Sequence, residues 1–245
     1  NGSFSQEGSE QVTNGDFATD SDWTISGGNA QISNGKLNLT NAVIYGTSVN
    51  NSATVVSGKT YLVKYTISDY VGGSSQIRLG SRFGTSRNSN GSFIEYIVAN
   101  DTNIRIYSSS INTTLSIDNV SVKEVGQDWA LGGSGSNTAS IGSNSATITS
   151  VDGNSYIQQN SVLTSGKSYK ISYEILSSSG SSVLKMISSL GLATVPTTVG
   201  THTVYGTAVS TTFYIERVAN GMNATITNIS VKEVGQNWTL GTGWS

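Results

Sequence analysis

The chain contains no cysteine, so no disulfide can staple it and no thiolate can hold a metal or act as a nucleophile. Its one histidine, His202, lacks the company that a catalytic triad or a zinc site requires. Charged residues make up 11% of the 245, less than half the usual share of about 25%. The formal net charge is −2, and lysines and arginines are scattered singly. That leaves no basic stripe for a phosphate backbone, and no nucleic-acid partner is expected. Apolar runs are strand-sized, and no charged segment followed by an apolar one stands at the start. Neither a membrane span nor an export signal is therefore expected.

What the chain does have is glycine, 28 residues of it, together with abundant Ser, Thr and Asn. Such a surface is solvated by hydroxyls and amides rather than by ions. Hydrophobic residues still reach 36%, with many β-branched Val, Ile and Thr, which excludes a disordered linker.

The strongest signal is internal repetition. Residues 117–132 read IDNVSVKEVGQDWALG and residues 226–241 read ITNISVKEVGQNWTLG, 109 positions later. The same offset aligns Gly91, Tyr96, Ile104 and Ile106 with Gly200, Tyr205, Phe213 and Ile215. Further back, Ser57-Gly58-Lys59-Thr60-Tyr61 matches Ser165-Gly166-Lys167-Ser168-Tyr169 at an offset of 108, one loop residue different. A unit of about a hundred residues is a domain rather than a solenoid repeat.

Within each unit apolar and polar residues alternate, the period of a strand with one buried face. Tyr61, Val63, Tyr65 and Ile67 form one such row, and Tyr169, Ile171, Tyr173 and Ile175 repeat it. No stretch carries a 3.6-residue stripe, so no helix is expected. Val120 and Val122 are out of step with Leu115 and Ile117, which predicts a β-bulge at Asp118-Asn119, and module two slips at the same place. Many short strands without helices read as a β-sandwich per unit. The expected division is 1–10 as the end of a preceding unit or linker, 11–126 and 127–234 as the two modules, and 235–245 as the start of a truncated third. Asn1-Gly2-Ser3-Phe4 echoes Asn14-Gly15-Asp16-Phe17, and Trp238 and Trp244 fall in the unfinished tail.

Val12-Thr13-Asn14-Gly15-Asp16-Phe17, with Trp23 beyond it, and the closing IDNVSVKEV of residues 117–125 resemble carbohydrate-binding jelly-roll modules of the xylan- and glucan-binding type. NGDFATDSDW and SVKEVGQDW are also similar to wording found in tail-fibre and other structural proteins of bacteriophages. The resemblance implies an all-β chain of two tandem jelly-roll-like β-sandwich modules. It implies a non-enzymatic adhesive or structural protein of the virion surface, meeting host-surface glycans or other virion subunits as a homo-oligomer. The alternative is a bacterial extracellular or cell-surface protein that binds polysaccharide or assembles into filaments. The family often carries a structural calcium, and the matching positions here are Asp16 and Asp118, with Thr227 replacing the second of these in module two.

Trp23, Trp129 and Trp238 recur at the module start, which suits core packing better than sugar stacking. A glycan platform needs aromatic faces for C–H surfaces and polar groups for hydroxyls. The candidates are Tyr45, Tyr70, Arg78, Arg82 and Tyr107 in module one, and Tyr156, Tyr214 and Glu216 in module two. His202 stands where module one has Phe93, so it reads as a substituted strand residue rather than a base. Glu124 and Glu233 are repeat equivalents in different modules and do not form the converging pair of a glycosidase.

Overall fold

The computed structural model describes residues 2–180, 183–217 and 221–235. The chain forms two compact units, one of Glu7–Val125 (module one) and the other of Asn1–Gln6 with Gly126–Ser245 (module two).

Module one contains β1 (Glu7–Glu10), β2 (Trp23–Ser26), β3 (Ala30–Ser33), β4 (Lys36–Ala42), β5 (Ser48–Thr54), β6 (Thr60–Gly72), β7 (Ser75–Leu79), β8 (Arg82–Phe83), β9 (Gly91–Val98), β10 (Asn103–Ser108) and β11 (Thr113–Val125). They form two antiparallel sheets, one ordered β3-β4-β11-β6-β9 with β1 added on β11, the other β2-β5-β10-β7-β8. Alternation decides the core. Leu37, Leu39, Tyr65, Ile67, Leu115 and Ile117 enter from the first sheet, and Val49, Ile77, Leu79, Ile104 and Ile106 meet them from the second.

Module two contains β12 (Ala130–Gly133), β13 (Thr138–Gly142), β14 (Ser145–Ser150), β15 (Ser155–Gln159), β16 (Ser168–Gly180), β17 (Leu184–Met186), α1 (Ile187–Leu190), β18 (Leu192–Val195), β19 (Gly200–Thr207), β20 (Phe213–Arg217) and β21 (Met222–Glu233). Its sheets run β13-β14-β21-β16-β19 and β12-β15-β20-β17-β18, which repeats the strand order of module one position by position. Each module is thus a β-sandwich of the same topology.

The repeated residues do repeated work. Burial raises the pKa of the Tyr61 phenol, whose oxygen accepts the Val56 N–H at 2.8 Å; the Tyr169 phenol accepts the Thr164 N–H at 2.8 Å. Lys59 pairs with Glu124 at 3.0 Å and Lys167 with Glu233 at 3.4 Å, so these glutamates tie the end of the last strand to a neighbouring turn. The bulge expected at Asp118-Asn119 is present: the β11–β6 register breaks between Asp118 and Ser121, with Asn119 at φ 54° and its equivalent Asn228 at φ 51°. Asparagine tolerates this left-handed backbone better than most side chains.

Two expectations need correction. The four-residue helix α1 was not anticipated, because a single turn is too short to show a helical stripe; Ser189 holds it by donating to the Met186 and Tyr214 carbonyls. The first ten residues, expected as the end of a preceding unit or a linker, divide between the two units. Glu7–Glu10 is the strand β1, clamped by Glu7, whose carboxylate lies 3.0 Å from Lys64 Nζ and 3.2 Å from Lys123 Nζ, while the residues before it belong to module two. Those two ammonium groups hold the Glu7 carboxyl below its ordinary pKa. The stretch 235–245, where the start of a third unit is expected and which holds Trp238 and Trp244, lies outside the described residues apart from Gly235.

Candidate functional site

On β10 the buried Ile104 and Ile106 alternate with Arg105 and Tyr107, which therefore lie on the side of the sheet away from the core. Pairing brings others to the same side: Arg78 opposite Arg105, Gln76 opposite Tyr107, and Phe83 opposite Arg78. Tyr45 joins them from the loop after β4, its N–H fixed to the Ser108 carbonyl at 3.0 Å. The result is an aromatic and cationic patch. Tyr45 lies 5.8 Å from Phe83 and 6.3 Å from Tyr107, and the Arg78 guanidinium sits 4.9 Å from the Phe83 centroid and 5.5 Å from that of Tyr107. Tyr45 and Phe83 are 56% and 47% exposed, whereas Tyr107 is buried beneath them. Tyr107 is thus the floor of the patch and not a stacking platform.

Both arginines point at that floor. Arg105 donates to the Tyr107 phenol oxygen at 3.1 Å and Arg78 at 3.5 Å, and Arg78 also reaches Ser81 Oγ at 3.1 Å. Neither has a carboxylate partner among the described residues. The Nε atoms of both are buried without a hydrogen-bond acceptor. Two like charges directly opposite one another on neighbouring strands disfavour the pairing, so the patch holds an unneutralised positive charge.

The equivalent face of module two has different chemistry. Tyr156, Tyr214 and Glu216 line a concavity of about 440 Å³ together with Asn154 and Ser188. Tyr156 pairs with Glu216 across β15 and β20, and its ring stands edge-on to Tyr214 at 5.9 Å. The turn α1 anchors the carboxylate: Glu216 accepts the Ser188 N–H at 2.9 Å and the Ser188 hydroxyl at 3.0 Å. All three candidates of this module therefore converge.

Tyr70 and Arg82 do not join the module-one patch. Tyr70 lies on β6 in the other sheet, packs against the core and donates to the Gly73 carbonyl at 3.2 Å. Arg82 pairs with Leu79, one residue out of phase with Phe83, so strand alternation turns it to the opposite side. Phe83 and Arg105 are members that the sequence reading passed over; their alternation with core residues marked them only as outward-facing.

Asp16 and Asp118, the expected calcium pair, do not line one concavity. Asp16 lines a shallow concavity with Glu10, Asn14, Asn119 and Ser121, but Asp118 is not part of it; its carboxylate accepts the Asn119 N–H at 2.6 Å. Glu10 is committed as well, to the Ser121 hydroxyl at 2.6 Å and the Val122 N–H at 2.7 Å. Calcium takes six to eight oxygens, and no group of three acidic or histidine side chains converges among the described residues. The donors do not fit a dedicated cage. Adding millimolar calcium or excess chelator is expected to move the melting temperature by less than about 1 °C, since an ion that does not bind the native state gives no linkage stabilisation. A calcium-dependent rise of several degrees would reinstate the site.

No protein-family model and no curated protein matches the sequence. Among solved structures the chain is similar to the N-terminal CBM22 tandem domain of a Paenibacillus barcinonensis protein, at 12% identity, with 91% of each chain covered and a TM-score of 0.31. It is also similar to a conserved protein of unknown function from Pseudomonas aeruginosa, at 9% identity, covering 84% of this chain and 98% of that one, with a TM-score of 0.21. The fold description rests on the strand order given above.

The single histidine is a packing residue. His202 pairs with Tyr173 across β19 and β16, its ring 5.5 Å away, just as Phe93 stands 5.6 Å from Tyr65 in module one. Its Nε2 lies 2.6 Å from the Thr198 carbonyl oxygen. That geometry orients the ring within the strand pair.

Proposed function

We propose that each module binds a glycan on the outward face of its second sheet, module one taking an acidic sugar and module two a neutral one, within a non-enzymatic adhesive protein. The observation that carries this is the pair Arg78 and Arg105, held unneutralised on a patch edged by the exposed rings of Tyr45 and Phe83. A carboxylated sugar supplies what that patch lacks: anionic oxygens for the guanidinium groups and C–H faces for the rings. In module two, Tyr156 and Tyr214 offer ring surface while Glu216 accepts hydroxyl hydrogens and repels anions. Two weak sites on one chain act together, so low affinity per module still gives firm attachment to a polymer.

The likeness of NGDFATDSDW and SVKEVGQDW to virion proteins supports a setting on a phage fibre, spike or head appendage that meets host-surface glycans. Affinity electrophoresis against polygalacturonate and xylan, with mass spectrometry of purified virions, tests both parts. Retardation by both polymers is expected, and Tyr214→Ala is expected to weaken xylan binding about tenfold, equivalent to about 1.4 kcal/mol. Retardation by neither polymer removes the sugar-binding reading. Absence of the chain from virions removes the setting.

A further inference from the structure

Two segments with the same wording serve two different modules. In module one, Asn14-Gly15-Asp16-Phe17 runs directly into its own sandwich. The Val120 N–H donates to the Gly15 carbonyl at 2.8 Å, and a Cβ on Gly15 would collide with the Val120 carbonyl oxygen. Phe17, at φ 49°, then drops into the core with its ring 5.0 Å from Trp23.

Module two has no such segment between Gly126 and Trp129. Its place is taken by the chain's first residues. The Ile229 N–H, the repeat partner of Val120, donates to the Gly2 carbonyl at 2.9 Å, and a Cβ on Gly2 would collide with the Ile229 carbonyl oxygen. Phe4, at φ 57°, lies 5.0 Å from Trp129 and is 1% exposed. Every element of the module-one arrangement is reproduced: the close glycine, the backbone hydrogen bond, the left-handed phenylalanine and the tryptophan beneath it. All of module one is inserted between this plug and the strands it completes.

We propose that module two carries a peptide-binding slot specific for a Gly-x-Phe segment, filled by residues 2–4 of its own chain. Glycine is required because any side chain meets the Ile229 carbonyl, and phenylalanine because the pocket over Trp129 and Phe213 is aromatic and closed. The ligand class is therefore a short peptide with a bare glycine two positions before an aromatic ring.

The test uses the chain lacking only residues 1–6, read by hydrogen exchange with mass spectrometry. Amides around Trp129 and Ile229 are expected to exchange at least about tenfold faster than in the full chain, with module one unchanged. The free peptide Asn-Gly-Ser-Phe-Ser-Gln at about 1 mM is expected to restore protection, and the same peptide carrying Phe4→Ala is not. Unchanged exchange after the deletion overturns the slot, as does equal rescue by both peptides. Should the shortened chain fail to fold, Phe4→Ala and, at an exposed position, Gln6→Ala in the full chain decide the matter. Only the first is expected to loosen these amides, and identical behaviour of the two overturns the proposal.

Discussion

Replacing Phe17 by alanine is expected to destabilise module one by about 3–5 kcal/mol, the range for truncating a buried aromatic ring. The ring is 1% exposed and rests against Trp23, whose indole N–H donates to the Asn14 carbonyl at 2.8 Å. Transfer of the ring to water accounts for part of the loss and the cavity left over Trp23 for the rest. A further contribution comes from the backbone. Phe17 holds φ 49°, a left-handed conformation that a bulky residue adopts only when packing over-determines it. Alanine takes away the packing and keeps the unfavourable conformation, so the whole turn from Asn14 loosens.

Against a domain stability of about 5–15 kcal/mol, a loss of that size removes about a fifth or more of what holds module one folded. The effect is local, because the side chains clustered around Phe17 all belong to Glu7–Val125. Urea denaturation followed by fluorescence and by hydrogen exchange is expected to show the module-one transition moving to lower denaturant while module two stays in place. A shift worth less than about 1 kcal/mol would mean that Phe17 is not the keystone of the opening turn.

Much of this architecture was legible in the chain, and the exceptions have a common cause. Alternation in Tyr61, Val63, Tyr65 and Ile67 marked a strand and its buried face, and its slip near Asn119 marked the bulge, because both are properties of consecutive residues. The 109-residue offset made the two modules visible for the same reason. Phe4 was different. Its likeness to Phe17 was plain, but nothing local says that it docks against Trp129, which lies beyond the whole of module one. The module-one patch shows the same limit. Outward-facing residues on β7, β8 and β10 converge only through the register of three strands, so Phe83 and Arg105 were indistinguishable from any exposed pair. Tyr70 has the ring that a platform needs, but it lies on β6, in the other sheet. Asp118 stands where the resemblance would put a calcium ligand, and its carboxylate accepts the Asn119 N–H, which the sequence alone does not tell.

The second large effect is expected from the double substitution Arg78→Gln and Arg105→Gln, and it has two parts of opposite sign. Hydrogen bonds to charged groups contribute about 1.5–3 kcal/mol each, so loss of both guanidinium groups is expected to weaken polygalacturonate binding by about a hundredfold or more. Under the proposed assignment, binding of xylan at module two, where Glu216 would carry the polar contact, is expected to stay within about twofold. The fold is expected to respond the other way. The two arginines oppose each other across β7 and β10 with no carboxylate between them, so neutralising them relieves a repulsion and leaves stability unchanged or slightly higher. Natural sites that keep such tension do so where activity needs it. If the arginines served only to cover Phe83 and Tyr107, the double variant would lose stability and its ligand profile would not change. Salt offers an independent check, since charge-driven binding weakens as ionic strength rises while ring stacking responds little. Wild-type affinity for polygalacturonate is therefore expected to fall steeply between low and physiological salt and the variant's residual affinity to stay flat; a flat wild-type profile would remove the acidic sugar from the assignment.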